Sequence, residues 1–169
     1  MVERMLRISL AAALALVLVL VAGGVALGDT TTVKDAQGDS VNGKPDIKSA
    51  VAGHTTSGKL QHTITTYAKF GTTFQAPRVE IVTATGDQYD VTPSGQVVEK
   101  ATGQTAPVTV KRPNPTTIVY IFGTSAIGSP TKYHWQVWVM SKSGCDMGTC
   151  DTANNAPPDK PGSWTLHKL

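Results

Sequence analysis

Beyond residue 28 the apolar positions of this chain recur at every second residue over short stretches, with turn residues between them every 8 to 12 positions. A period of two places successive side chains on opposite faces of a strand. A strand is expected from Asp46, with Ile47, Ser49 and Val51 on one face. A second covers residues 60–67, where Leu60, His62 and Ile64 share a face. Residues 78–84 turn Val79 and Ile81 inward, and Gly86-Asp87 is a hairpin signal into 88–91. Pro93-Ser94-Gly95 turns the chain into 96–100, and Val108 with Val110 marks a short strand that ends at Arg112-Pro113-Asn114-Pro115. Residues 116–122 form a continuous β-branched and aromatic run, the pattern of a central strand covered on both faces. In 132–141, Tyr133, Trp135, Val137 and Val139 fall on one face and His134, Gln136, Trp138 and Met140 on the other. About eight short strands and no amphipathic helix predict an all-β fold: a single antiparallel β-sandwich, jelly-roll-like or immunoglobulin-like.

The first segment obeys another rule. Arg4 and Arg7 precede an apolar run over 8–27 that closes on Ala26-Leu27-Gly28, with small residues at −3 and −1 before Asp29. A basic head, an apolar helical middle and a small-residue exit are the parts of a secretory signal. The chain therefore divides into a signal peptide at 1–28, an Asp/Gly-rich lead-in at 29–45 with a loose polar start, and a sandwich domain at 46–169. The tail of that domain, from Cys145 on, is expected to wrap the sandwich edge. The expected location is secreted or cell-envelope. An uncleaved leader would serve as an anchor, the one route to a membrane, since 20 apolar residues suffice to span one.

Composition sharpens this picture. Among 169 residues, 40% are hydrophobic and 16% charged, which is too apolar for a disordered chain. Thr occurs 23 times, adding β-branched weight to the strand reading. The net charge of +3 is spread along the sequence and forms no basic stripe, so nucleic acid is not an expected partner.

Asp35-x-x-Gly38-Asp39 followed by Pro45-Asp46-Ile47 opens the domain. The run 116–122 leads into Ser125-Ala126-Ile127-Gly128 and Tyr133-His134-Trp135, and the chain closes through Asp151 and Pro157-Pro158-Asp159-Lys160-Pro161-Gly162. Over residues 33–162 this resembles secreted bacterial β-sandwich modules, including family-9 carbohydrate-binding modules and DOMON-like domains. The resemblance implies a structural Ca²⁺ at the Asp-rich opening, with Asp35, Asp39 and Asp46 at matching positions. The chain departs from sugar-binding members in lacking a pair of aromatic residues for a sugar clamp.

The loop itself offers those three carboxylates within twelve residues, with Gly38 and Gly43 for sharp turns. Ca²⁺ takes six to eight oxygens, so the tail has to add more, from Asp151 or Asp159. The spacing is not that of an EF-hand. The alternative is a solvated turn whose Asp side chains cap backbone N–H groups. Cys145 and Cys150 stand in a Cys-x4-Cys spacing and, in an exported chain, are expected to form a disulfide. Zinc would need two further ligands, for which His134 and His167 are the nearest histidines, without ligand spacing.

No catalytic motif has its structural context. Gly123-Thr124-Ser125-Ala126-Ile127-Gly128 misses the Gly-x-Ser-x-Gly elbow and has no helix after it. His62, between Leu60 and Ile64, reads as a buried, hydrogen-bonded structural residue. The chain is accordingly expected not to be an enzyme. Trp138 is the aromatic that alternation pushes off the Tyr133–Trp135 face, a candidate for stacking on a sugar, or a core residue if that strand is covered on both sides. Trp164 is expected to pin the tail to the sheet.

The expected function is a non-catalytic binding or scaffolding module that meets an extracellular or cell-surface ligand, with a polysaccharide as the named candidate. A concave face with exposed aromatics would favour it. A flat face covered by Thr and Lys would favour a structural envelope or interaction protein without a small ligand. A pocket joining Ser125, a His and an Asp would favour a hydrolase.

Overall fold

The computed structural model describes residues 26–40, 45–71, 76–140, 149–153 and 160–169, and it is an all-β sandwich of two antiparallel sheets. The first sheet holds β1 (Ala26–Lys34), β2 (Ile47–His54), β3 (Leu60–Thr66), β8 (Thr109–Asn114) and β9 (Thr117–Phe122), in the order β1-β2-β3-β9-β8. The second holds β4 (Arg78–Thr83), β5 (Gln88–Thr92), β6 (Gln96–Glu99), β7 (Thr105–Pro107), β10 (Lys132–Met140), β11 (Thr149–Thr152) and β12 (Thr165–Lys168). Its order is β11-β10-β4-β5-β6-β7. β12 pairs the Lys132–Trp135 half of β10, while β11 pairs the half from Trp138 to Met140.

Alternation builds the core. Leu60, Ile64, Ile118, Tyr120 and Phe122 face inward from the first sheet, and Val79, Ile81, Val91, Tyr133, Trp135, Val137 and Val139 from the second. The Tyr120 hydroxyl crosses between the sheets to donate to the Pro77 carbonyl. Removing such apolar surface from water drives the closure at about 25 cal/mol per Å².

Twelve described strands exceed the expected eight, and the additions are edges. Ala26–Lys34, which includes the expected loose lead-in from Asp29, pairs with β2 through Thr31↔Ala52 and Lys34↔Ser49. Its Thr-rich sequence lacks apolar alternation because an edge strand buries only part of its surface. The face expected for β2 is also corrected. Ile47 is buried, but the register shifts between Ile47 and Ser49, and Ala50 and Ala52 take the inward positions in place of Ser49 and Val51. A bulge adds one residue on one strand and so exchanges the faces beyond it. β9 lies between β3 and the edge strand β8 and is covered on one side only: Ile118, Tyr120 and Phe122 are buried while Val119 and Ile121 are half-exposed. The expected stop at Arg112-Pro113 is instead the outer part of β8, an exposed edge strand where proline costs no ladder bond. Trp164, with 4% of its surface exposed, does fix the tail.

Candidate functional site

Three strands carry the acidic residues to one end of the sandwich. β1 delivers Asp35 and, after the Gly38 turn at φ 88°, Asp39; Asp46 precedes β2; Asp151 lies on β11 of the other sheet. One carboxylate oxygen each from Asp35, Asp39 and Asp151 lies within 4.8 Å of the others. The Gly38 N–H donates to Asp46 Oδ2 at 2.6 Å, which folds the loop back on the start of β2. Asp46 is itself 8% exposed, and its second oxygen is buried without a hydrogen bond. The Ile47 N–H donates to Asp151 Oδ2 at 2.6 Å, so one backbone amide ties the two sheets at this point.

Burial pushes the Asp151 carboxyl up to about 7, the Ile47 N–H opposes that rise, and the charges of Asp35, Asp39 and Asp46 reinforce it. A carboxylate set that repels itself and leaves a buried oxygen unsatisfied fits a hard cation. Ca²⁺ takes carboxylate and carbonyl oxygens at about 2.3–2.6 Å in flexible geometry. Of the residues expected to hold it, the structure brings Asp35 and Asp39 together with Asp151, one of the two tail acids, while Asp46 stands outside that group and acts on Asp151 through its charge; Asp159 lies outside the described residues. Cys145 also lies outside them, as does the Cys150 side chain, so the expected disulfide has no described geometry.

Trp138 sits on the outer face of β10, half-buried, directly paired with Arg78. The Arg78 guanidinium lies 5.5 Å from the Trp138 ring centroid and 3.4 Å from Asp90 Oδ2. Burial raises the Asp90 carboxyl and Arg78 lowers it. In the adjoining row Gln136 donates to Glu80 Oε2 at 3.0 Å, and Glu80 pairs with Lys100. The Trp138 indole N–H, Arg78 Nε, Gln136 Oε1 and Asp90 Oδ1 are buried and make no hydrogen bond. This outer side therefore shows the Trp138 ring, Arg78 and Asp90 in part, next to a buried Gln136–Glu80 pair.

Ser125 lies in a 3-10 turn, Thr124–Ile127, closed by Gly128 at φ 75°. A cleft of about 240 Å³ beside it is lined by Tyr89, Glu99, Gln104, Thr105 and Ser125, and no histidine is among its lining residues.

The histidines meet elsewhere. His62 is fully buried, as expected, and its Nε2 lies 3.0 Å from the Tyr133 hydroxyl. Sequence reasoning missed that His167 and His54 join it: the His54 and His167 rings are 5.2 Å apart, and Tyr133 stands 5.3 Å from His167. No spacing pattern could signal a contact between residues this far apart in the chain.

No protein-family model, curated protein or solved structure matches this chain.

Proposed function

We propose that this chain is an exported, non-catalytic β-sandwich binding module whose sheets are clamped at one end by a structural Ca²⁺ ion. Asp35, Asp39, Asp46 and Asp151 would hold the ion. The observation that carries the reading is the convergence of Asp35 and Asp39 from one sheet with Asp151 from the other, beside the unsatisfied Asp46 oxygen. A cation there would offset the repulsion among the carboxylates and join the sheets through bonds rather than packing. The ligand face is the outer side of β10 and β4 at the cross-strand pair Trp138 and Arg78, whose half-buried ring and cation suit an extracellular or cell-surface polysaccharide.

A scaffold without a small ligand is the second reading. Thr32, Val51, Thr63, Val119 and Lys111 form one outward row across the five-stranded sheet, a flat Thr/Val surface with a single charge. A hexose-polymer binding assay on the wild type and Trp138→Ala separates the two readings.

Melting with and without metal tests the clamp. An ion bound only by the folded chain adds RT ln(1 + [L]/Kd), about 2.7 kcal/mol at a hundredfold excess over Kd. Melting should rise with millimolar Ca²⁺, rise little with Mg²⁺, and fall with chelator. Asp39→Asn should weaken that response, and Asp151→Asn should abolish it while keeping an acceptor for the Ile47 N–H. Melting indifferent to both calcium and chelator would overturn the clamp.

A further inference from the structure

At the end of the sandwich away from the carboxylates, three imidazoles close the two sheets on each other. His54 comes from β2, His62 from β3 and His167 from β12; Tyr133 of β10 stands between His62 and His167. The His62 ring stacks on Phe122 at 5.9 Å and meets Trp135 edge-on at 5.1 Å. His167 Nδ1 lies 2.9 Å from Thr31 Oγ1, which joins β12 to β1, the edge strand of the opposite sheet. His62 Nδ1 and His167 Nε2 are buried with no hydrogen-bond partner.

We propose that this imidazole cluster is an acid-opened latch: neutral, it holds β12 and β1 over the open end of the sandwich, and charged, it releases them. The geometry carries the inference, because among the described residues a proton gained by His62 or His167 finds no carboxylate in contact. The groups facing the cluster are Thr31 and Asp29 from β1, His54 from β2, Phe122 from β9, and Tyr133 and Trp135 from β10. Of these only Asp29 is acidic, and it is exposed. Lys132 and Lys168, the next pair along the β10–β12 ladder, are exposed and positive.

Burial, then the neighbouring imidazoles His167 and His54, hold His62 down at about 3. Burial, then His54, hold His167 at about 4, against a smaller opposite pull from Asp29. Both folded values lie below the ordinary imidazole value of 6.5, so the folded chain prefers the neutral rings. The contribution to stability is complete above pH 6.5 and is lost as pH falls from there toward the folded values. Between pH 7.5 and pH 5 the pair should raise the opening equilibrium by roughly a hundredfold or more.

The test is amide hydrogen exchange at those two pH values, with intrinsic rates corrected and chelator present throughout, on the chain as the cell processes it. Protection of His167 in β12, and of Leu169, whose N–H donates to the Thr131 carbonyl, should fall by roughly that factor at pH 5 while Val91 in β5 stays protected. His62→Gln and His167→Asn keep a polar atom near Nε2 and Nδ1 respectively and cannot take up a proton, so the double variant should lose the difference. Equal loss of protection in β5 and β12 would overturn the latch. Imidazole NMR titration of the wild type gives a readout that needs no variant: both rings staying neutral at pH 5.5 supports the latch, and ordinary titration near 6.5 in the folded chain overturns it.

Discussion

At the Ile47 end of β2 the two sheets meet through carboxylates, and at the His54 end through imidazoles. The strand separates the two by about 23 Å at roughly 3.3 Å per residue. β10 makes the same traverse, from Tyr133 beside His167 to Val139 beside Asp151. At both ends burial favours the neutral form of an ionisable group, raising Asp151 and lowering His62 and His167. The remedies differ. A carboxylate cluster can be neutralised by a cation and keep its charges, whereas imidazoles with no acid in contact stay neutral only by refusing protons. On the two proposals, one end of the molecule answers to a metal and the other to pH.

The comparison breaks most visibly in the core beneath the imidazoles. Trp135 is 1% exposed and meets His62 edge-on. Trp135→Ala should cost about 3–5 kcal/mol, read as a lower urea midpoint. The remaining folded chain should still gain stability from calcium, since the carboxylates lie at the other end. An unchanged urea midpoint would contradict the register that places Trp135 inward.

A smaller change sharpens the contrast. Tyr133 is fully buried, and its hydroxyl is the partner of His62 Nε2. Tyr133→Phe keeps the ring and leaves both His62 nitrogens without a bond, a cost of about 1–3 kcal/mol for the stranded group. Thermal melting at pH 7.5 should show it with the calcium increment intact. A calcium increment that shrinks along with it would mean that the two ends are one cooperative site.

These two ends differ also in how far the sequence exposes them. Asp35, Asp39 and Asp46 stand within one Gly-rich loop, so local chemistry named them, and the alternation of β10 named Trp135 as core. Asp151 was legible only as one of two tail acids, because the Ile47 amide that selects it is 104 positions away. The β2 face was misread because strict alternation has no means of anticipating the bulge after Ile47. β11 and β12 are four residues each and lie in the Pro- and Gly-interrupted tail, too short for periodicity to show. The imidazole cluster follows from that loss: without β12, His167 has no place in the fold, and His62 reads as a solitary core histidine.

The finest test concerns which nitrogen of His167 carries the proton. Thr31 Oγ1 lies 2.9 Å from His167 Nδ1 and 3.4 Å from the Leu166 carbonyl oxygen. A carbonyl only accepts, so when the Thr31 hydroxyl proton is directed to Leu166, Nδ1 is the donor to Oγ1. That assignment leaves His167 Nε2 as a bare lone pair in its buried site, in place of a stranded N–H. Thr31→Val preserves shape and removes both bonds, so Nδ1–H loses its acceptor. The expected cost is about 1 kcal/mol, with exchange at the His167 amide accelerated and the calcium increment unchanged. Imidazole nitrogen shifts in the wild type should report the Nδ1–H form, and the variant should lose that preference. Nitrogen shifts of the Nε2–H form in the wild type would instead make Thr31 the donor to the ring, and the hydroxyl would then support the neutral imidazole from the opposite direction.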